Sequence, residues 1–235
     1  RDPRKKPDSF DDFLSIKQKL SEIRPLTIGQ ASRISGINPA LSDDLKNTTL
    51  KLVKECKKRN IIVSYDSNFR AKLWSLEDAR QFMLEILPYV DIAFLGILDF
   101  KNILLYDIPT ESFEENLKIL YTKLFEKYPN LKFASSTRRK VNSVNNNSLN
   151  GYLFDGENVN KSKEYTLDIL DRVGGGDSFT AGILHGLLNQ MTCEETVEFA
   201  TCASVLKHSI SGDMNLVSKK DVYTLMMSGV ENINR

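Results

Sequence analysis

The chain has 235 residues, with 32 Lys and Arg against 31 Asp and Glu, so its formal net charge at pH 7 is +1. This balance excludes a nucleic-acid-binding protein that works by bulk electrostatics, because such a protein needs a basic excess. Hydrophobic residues make up 41% and charged residues 27%, which indicates a folded globular chain. The apolar runs are far shorter than the roughly 20 residues that a membrane span needs, so we predict no membrane span.

The cysteine and histidine content argues against both a disulfide framework and a zinc site. Three cysteines without CxxC spacing and only two histidines are present. This content favours a reducing, cytoplasmic compartment. The first methionine is Met83, so we expect the translated product to begin before Arg1.

Helices and strands are predicted to alternate in the first half of the chain. Residues 1–12 are charged and contain two prolines, which predicts a loop or ragged end, and we interpret 13–235 as one domain. Ser42 precedes a first helical pattern, a capping box at Ser75 and Asp78 starts a second helix, and Ser112 precedes a third. Apolar runs after these helices predict three strands, Ile61–Asp66, Val90–Leu95 and Leu131–Ser135. This alternation favours a parallel sheet covered by helices on both faces.

The pattern changes after Val141. Short alternating segments separated by Asn, Asp and Gly indicate antiparallel hairpins, with Asn145–Asn147 as a turn and Thr166–Leu170 as a strand. Two helices follow, the second from about Glu194 to His208. The first of them is expected to bury one stripe of side chains, which comprises Phe179, Ile183, Leu184, Leu187 and Leu188.

The glycine cluster in DRVGGGDSF, Asp171–Phe179, is the most informative segment. Adjacent glycines suit a positive φ or a close approach of the backbone to a ligand. A helix that begins there offers unpaired amides and the positive end of its dipole to an anion such as phosphate. Asp177 can then accept the proton of an attacking hydroxyl while the amides of Gly174–Gly176 hold a phosphoryl group. The plainer alternative is a turn whose aspartate only complements the helix dipole; Walker A and GxGxxG patterns are absent.

The segment resembles the second signature of the ribokinase-like (PfkB) carbohydrate kinases, D-x-x-G-A-G-D, with Gly175 where alanine is commoner. Three further stretches resemble 2-keto-3-deoxygluconate kinases: ISGINPALS (Ile34–Ser42), VSYDSNFRAKLW (Val63–Trp74) and KHSISGDMN (Lys207–Asn215). The resemblance implies a three-layer α/β/α fold with a mostly parallel central sheet and an antiparallel hairpin region.

The resemblance also implies roles for individual residues. Asp177 matches the catalytic base, and Gly174, Gly175 and Gly176 match the anion hole. Asp171 matches an acid that organises this loop near a monovalent-cation site, such as one for K⁺. Further residues match contacts for substrate or nucleotide; these are Arg70 for the substrate carboxylate, Asn68 beside it, Asp213 for sugar hydroxyls and Thr137 at a strand-to-loop turn that contacts the nucleotide.

Several of these residues also have plainer interpretations. Arg70 can belong to a solvated loop and Asp213 to an ordinary turn. Trp74 is expected in the core and His208 as a helix cap or a dipole-stabilising residue. Lys207 is expected in solvent rather than beside the adenine.

The sequence departs from the family in two places. Where the family carries N-x-x-E, this chain has Gly96 and Asp99, of which only Asp99 can hold a water bound to magnesium. The opening strands and the β-sheet lid, which often forms a homo-oligomer interface, are expected to be missing from this chain.

The resemblance implies ATP- and Mg²⁺-dependent phosphorylation of a sugar acid, 2-keto-3-deoxygluconate, to its 6-phosphate. Two alternatives remain open: a kinase for a neutral sugar such as fructose or ribose, and a non-catalytic nucleotide- or sugar-binding relative.

Overall fold

The computed structural model describes residues 39–143, 146–212 and 214–228. Within these ranges the helices are α1 (Asp43–Lys58), α2 (Leu76–Ile86), α3 (Ile97–Asn102), α4 (Phe113–Lys127), α5 (Gly175–Leu188), α6 (Cys193–Lys207) and α7 (Lys219–Ser228), with a 3₁₀ turn at Leu87–Tyr89. The strands are β1 (Ser64–Asp66), β2 (Ile92–Phe94), β3 (Phe133–Val141), β4 (Asn146–Phe154), β5 (Val159–Lys161) and β6 (Tyr165–Asp168). The predicted loop of residues 1–12 lies outside the described residues.

The six strands form one mixed sheet in the order β1-β2-β3-β4-β5, with β6 paired to β4. Helices connect β1 to β2 and β2 to β3, which is the connection typical of parallel neighbours. β4 pairs antiparallel with β3, β5 and β6. The predicted α/β fold with a parallel part and an antiparallel hairpin region is therefore confirmed.

The described residues divide into two compact units. The first contains residues 39–93, 98–107 and 128–131, and the second contains 94–97, 108–127 and 132–228 apart from the undescribed positions. A single domain over 13–235 stays a prediction.

The helix starts predicted in the first unit are confirmed. The Ser42 hydroxyl accepts the amide of Leu45 at 3.2 Å at the start of α1. The Ser75 hydroxyl accepts the amide of Asp78 at 3.0 Å and donates to its carboxylate at 2.7 Å. These caps are local contacts, which is why the sequence alone reveals them.

The buried carboxylate of Asp91 joins α1 to the sheet in the first unit. Lys57 Nζ lies 3.0 Å from Asp91 Oδ1, and the amide of Val63 donates to Oδ2 at 3.0 Å. Asp91 is 2% exposed, so these two donors replace the water that the carboxylate would otherwise bind.

One strand prediction and one turn prediction in the second unit were wrong. β3 continues to Val141, well beyond the predicted end at Ser135. Asn147 is a strand residue and not a turn residue: it stands opposite both Val141 and Leu167 and is fully buried. Pairing on both edges of β4 outweighs the turn preference of asparagine, because each neighbouring strand supplies ladder hydrogen bonds.

The second unit packs α5 on α6 through small residues. A Cβ added at Gly182 would lie 2.5 Å from Ala200 Cα, and one added at Gly186 would lie 2.6 Å from the Thr196 side chain. The predicted stripe was therefore wrong in part: Phe179 and Ile183 are buried, but Leu188 is 71% exposed and glycines complete the packed face.

Candidate active site

The glycine cluster forms a tight turn between β6 and α5 in the second unit. Gly174 has φ of +79° and is the N-cap of α5, where no side chain caps the helix. A positive φ is accessible to glycine at little cost, so the sequence reaches this turn without strain. The amide of Gly175 donates to the Arg172 carbonyl at 3.5 Å within this turn. The start of a helix offers its remaining unpaired amides to an anion.

The space around two of the glycines differs sharply. Gly176 is exposed, and a Cβ added there would meet nothing within 4 Å. A ligand can therefore approach its backbone closely. At Gly175 an added Cβ would lie 2.4 Å from Cε1 of the His208 imidazole. The histidine occupies the place that the commoner alanine would need.

Asp171 holds the start of this turn to a neighbouring loop. Its Oδ1 accepts the amide of Val173 at 3.0 Å and its Oδ2 accepts the amide of Gly212 at 2.8 Å. These backbone hydrogen bonds hold the pKa of the Asp171 carboxyl below its ordinary value, with a smaller contribution from the positive charge of Lys207. Asp171 thus joins the start of the glycine turn to the loop that contains Gly212.

Asp177 lies in the first turn of α5 and is half-buried. The next residue, Ser178, donates its amide to the Gly174 carbonyl at 2.9 Å, which closes that turn. The side chain of Ser178 accepts the Asn215 amide group at 2.9 Å. Asp177 therefore sits on a rigid helix start directly after the glycine turn.

The backbone of His208 binds the segment that leads into the glycine turn. Its carbonyl accepts the amides of Leu170 and Asp171 at 2.9 and 3.2 Å. Its Nδ1 lies 2.7 Å from the Ser204 carbonyl oxygen, which can only accept, so Nδ1 carries a proton. Burial lowers the pKa of His208, which favours the neutral ring. His208 is the C-cap of α6, as predicted.

The prediction that Lys207 faces solvent was wrong. Lys207 is 0% exposed, and its Nζ donates to the carbonyls of Ile210 at 3.0 Å and Gly212 at 2.7 Å. The sequence could have suggested this burial, because Lys207 ends the uncharged run Phe199–Leu206, which is buried throughout.

A second group of predicted residues lies after β1 in the first unit. Asp66 accepts the Asn68 amide at 3.1 Å, and Asn68 has φ of +36°. The Arg70 guanidinium donates to the Asn68 side-chain oxygen at 2.5 Å, so the structure brings these two predicted residues together. Both residues are exposed.

Asp99 is positioned by a residue that the sequence analysis missed. The buried Ser67 hydroxyl donates to Asp99 Oδ1 at 2.6 Å. Burial, followed by the charges of Asp99 and Asp66, raises the pKa of the adjacent Tyr65. Nothing in the sequence pairs Ser67 with Asp99, because 32 residues separate them. The companion departure, Gly96, is half-buried and belongs to the second unit.

Thr137, Asp213 and Trp74 complete the predicted set. Thr137 does not lie at a strand-to-loop turn; it stands within β3 opposite Gly151, because the hairpin with β4 extends the strand. Asp213 lies outside the described residues. Trp74 is half-buried, and its ring centroid lies 5.7 Å from that of Phe82, consistent with a packing role.

Two absences hold for the described part of the chain. No group of three or more His, Cys, Asp or Glu side chains there could hold a metal ion. No helix in the same ranges is both long enough and apolar enough to cross a bilayer.

Solved structures with the same fold define the class of protein. A PfkB family carbohydrate kinase from Listeria grayi superposes with a TM-score of 0.75 at 37% identity, over 81% of this chain and 57% of that one. The 2-dehydro-3-deoxygluconokinase of Thermotoga maritima gives the same TM-score at 30% identity, over 80% of this chain and 56% of that one. The fold is therefore ribokinase-like.

The glycine turn, α5 and α6 fall within residues 151–220, which match the family described as pfkB family carbohydrate kinase. The chain belongs to this family. Among curated relatives, the 2-dehydro-3-deoxygalactonokinase of Haloferax volcanii is 25% identical over 201 residues, which are 86% of this chain and 58% of that protein. The chain thus spans little more than half the length of this relative.

A second similarity lies near the start of the chain. Residues 14–66 match the family described as the C-terminal helical bundle of the tRNA modifying enzyme MnmG/GidA. The MnmG protein of Exiguobacterium sibiricum is 67% identical over 27 residues, which are 12% of this chain and 4% of that protein. Ile34–Ser42 falls within 14–66, so this stretch is not specific to sugar kinases.

Proposed function

We propose that the chain catalyses ATP-dependent phosphorylation of a sugar acid, 2-keto-3-deoxygluconate, at its 6-hydroxyl. The observation that carries this proposal is the open helix start at Gly174–Gly176, with Asp177 in the first turn. Anion-holding amides and a base one residue apart supply the two functions that transfer of a phosphoryl group to a hydroxyl requires. Family membership and relatives named for the same chemistry support it.

In this proposal Asp177 takes the proton from the attacking hydroxyl. The amides of Gly174, Gly175 and Gly176 hold the phosphoryl oxygens, and Asp171 keeps the loop in place through its two backbone hydrogen bonds. Because these groups are fixed before the reaction, little reorganisation accompanies the build-up of charge.

Arg70 and Asn68 are proposed to bind the substrate. A guanidinium can bind a carboxylate through two parallel hydrogen bonds, and Asn68 fixes its orientation. A neutral sugar offers no carboxylate, so Arg70 favours a sugar acid over fructose or ribose. Asp213 for the sugar hydroxyls and Thr137 for the nucleotide remain predictions.

Magnesium is proposed to act with the nucleotide. Mg²⁺ in such sites usually keeps several waters and needs only one or two carboxylates, and the Asp99 carboxylate, oriented by Ser67, fits a contact with a metal-bound water. The ion would neutralise charge on the phosphate oxygens. Gly96 contributes no side chain, which is the observation behind the non-catalytic alternative.

A bound K⁺ ion does not fit the residues near Asp171. The amide of Gly212 donates to this carboxylate, and the carbonyls of Ile210 and Gly212 in the same loop already accept hydrogen bonds from Lys207. The predicted cytoplasmic location and the homo-oligomer through a lid stay predictions.

The test of the proposed function is an ADP-release assay with 2-keto-3-deoxygluconate. We expect Asp177→Ala to lower turnover roughly 10²- to 10⁴-fold, because a general base contributes a factor of this size. Asp107→Ala, which removes an exposed aspartate outside the candidate site, is the matched control and should keep turnover. Turnover of Asp177→Ala equal to that of the unaltered chain would exclude Asp177 as the base.

A further inference from the structure

Lys207 is a fully buried cation that the proposed chemistry does not use. It ends α6, and none of its surface is exposed. A buried ammonium is stable only where fixed oxygen atoms replace its water. The carbonyls of Ile210 and Gly212 do so at 3.0 and 2.7 Å from Nζ.

The two carbonyls belong to the loop that anchors the glycine turn. The amide of Gly212 donates to Asp171 Oδ2 at 2.8 Å, while Gly212 itself has φ of +87°. Asp171 in turn accepts the amide of Val173, one residue before Gly174. Hydrogen bonds thus connect the ammonium, the carbonyls and the carboxylate to Val173, the residue before the glycine cluster, all within the second unit.

Carbonyl oxygens near a carboxylate are the ligand type that a monovalent cation uses when it loses its hydration shell. Here a lysine ammonium, itself a compact monovalent cation, already takes the hydrogen bonds of these oxygens. A second cation beside it would meet a like charge in a buried place.

We propose that the Lys207 ammonium replaces a free monovalent cation in this chain, so that the loop carrying the anion hole keeps its structure without K⁺. The position of the Lys207 ammonium follows from the fold alone. The importance of this ammonium for phosphoryl transfer rests on the proposed function.

The experiment is thermal unfolding in potassium, sodium and choline chloride at equal ionic strength, without ATP or sugar. The unaltered chain should melt at the same temperature in all three salts. Lys207→Ala vacates a space for an ion but removes the donor, so its melting temperature should fall by roughly 5 °C or more in choline chloride. Potassium or ammonium chloride should then restore part of that loss.

Two further variants separate ion replacement from a general loss of packing. Lys207→Met fills the same volume without a charge, so it should be destabilised and gain nothing from potassium. Lys220→Ala removes an exposed lysine of α7 and should behave as the unaltered chain in every salt.

Three results would overturn the proposal. They are a specific rise in the melting temperature of the unaltered chain with potassium, an equal melting temperature of Lys207→Ala in potassium and choline, and failure of Lys207→Ala to fold in any of the salts. Because no substrate is present, none of these results depends on whether the chain is a kinase.

Discussion

At Gly175 the space for a side chain is taken by an imidazole. The ring of His208 is buried and held by its contact with the Ser204 carbonyl, and the Ser204 hydroxyl donates to the Gly175 carbonyl at 2.9 Å. The ring therefore cannot swing away at little cost. This pair accounts for glycine where relatives of the resembled family more often have alanine.

The contact between Gly175 and His208 predicts that substitutions at these two positions have coupled effects on the free energy of unfolding. We expect Gly175→Ala to lower the free energy of unfolding by about 1–3 kcal/mol, because a methyl group is forced against a fixed ring. In a His208→Ala background the same substitution should cost less, since the ring is gone. Urea unfolding of the four proteins in this double-mutant cycle measures the coupling. Strictly additive effects would show that the ring is not the obstacle.

The helices α5 and α6 approach each other so closely that only glycine fits at positions 182 and 186. A stripe of large apolar residues is the usual face of a packed helix, but here the glycines let the two backbones meet. The obstacle at Gly182 is the backbone of Ala200, which cannot rotate away as a side chain could.

We therefore expect Gly182→Ala to lower the unfolding free energy by about 1–3 kcal/mol through overpacking. Gly176→Ala is the matched control for stability, because its added methyl group meets nothing within 4 Å. Chemical denaturation of both variants compares them directly. A Gly182→Ala protein as stable as Gly176→Ala would contradict the close packing of α5 and α6.

The features that could be predicted from the sequence are those that depend only on residues close together in the chain. Caps at Ser42 and Ser75, and the glycine turn before Asp177, depend on neighbours a few residues apart. The full length of β3 and the burial of Asn147 depend on strands that pair from elsewhere in the chain. The partners of Lys207 could not be predicted for the same reason: the carbonyls of Ile210 and Gly212 meet its ammonium only when the loop closes over the end of α6.

At the scale of the whole molecule, the predicted site residues fall into two groups. Asp171, Gly174–Gly176 and Asp177 lie together in the second unit, whereas Asn68, Arg70 and Asp99 lie in the first. In the proposed function, Arg70 and Asn68 bind the carboxylate of the substrate and Asp99 contacts a metal-bound water, whereas the residues of the second unit supply backbone amides and a base. A sugar kinase needs both kinds of group, one for the sugar acid and one for the transferred phosphoryl group.

Mass spectrometry of the sugar after incubation with the chain, ATP and magnesium is the decisive test of the proposed kinase activity. We expect 2-keto-3-deoxygluconate to gain one phosphoryl group, at the 6-hydroxyl, in preference to fructose or ribose. Release of ADP with no phosphorylated sugar, or no reaction with any of these sugars, would contradict it.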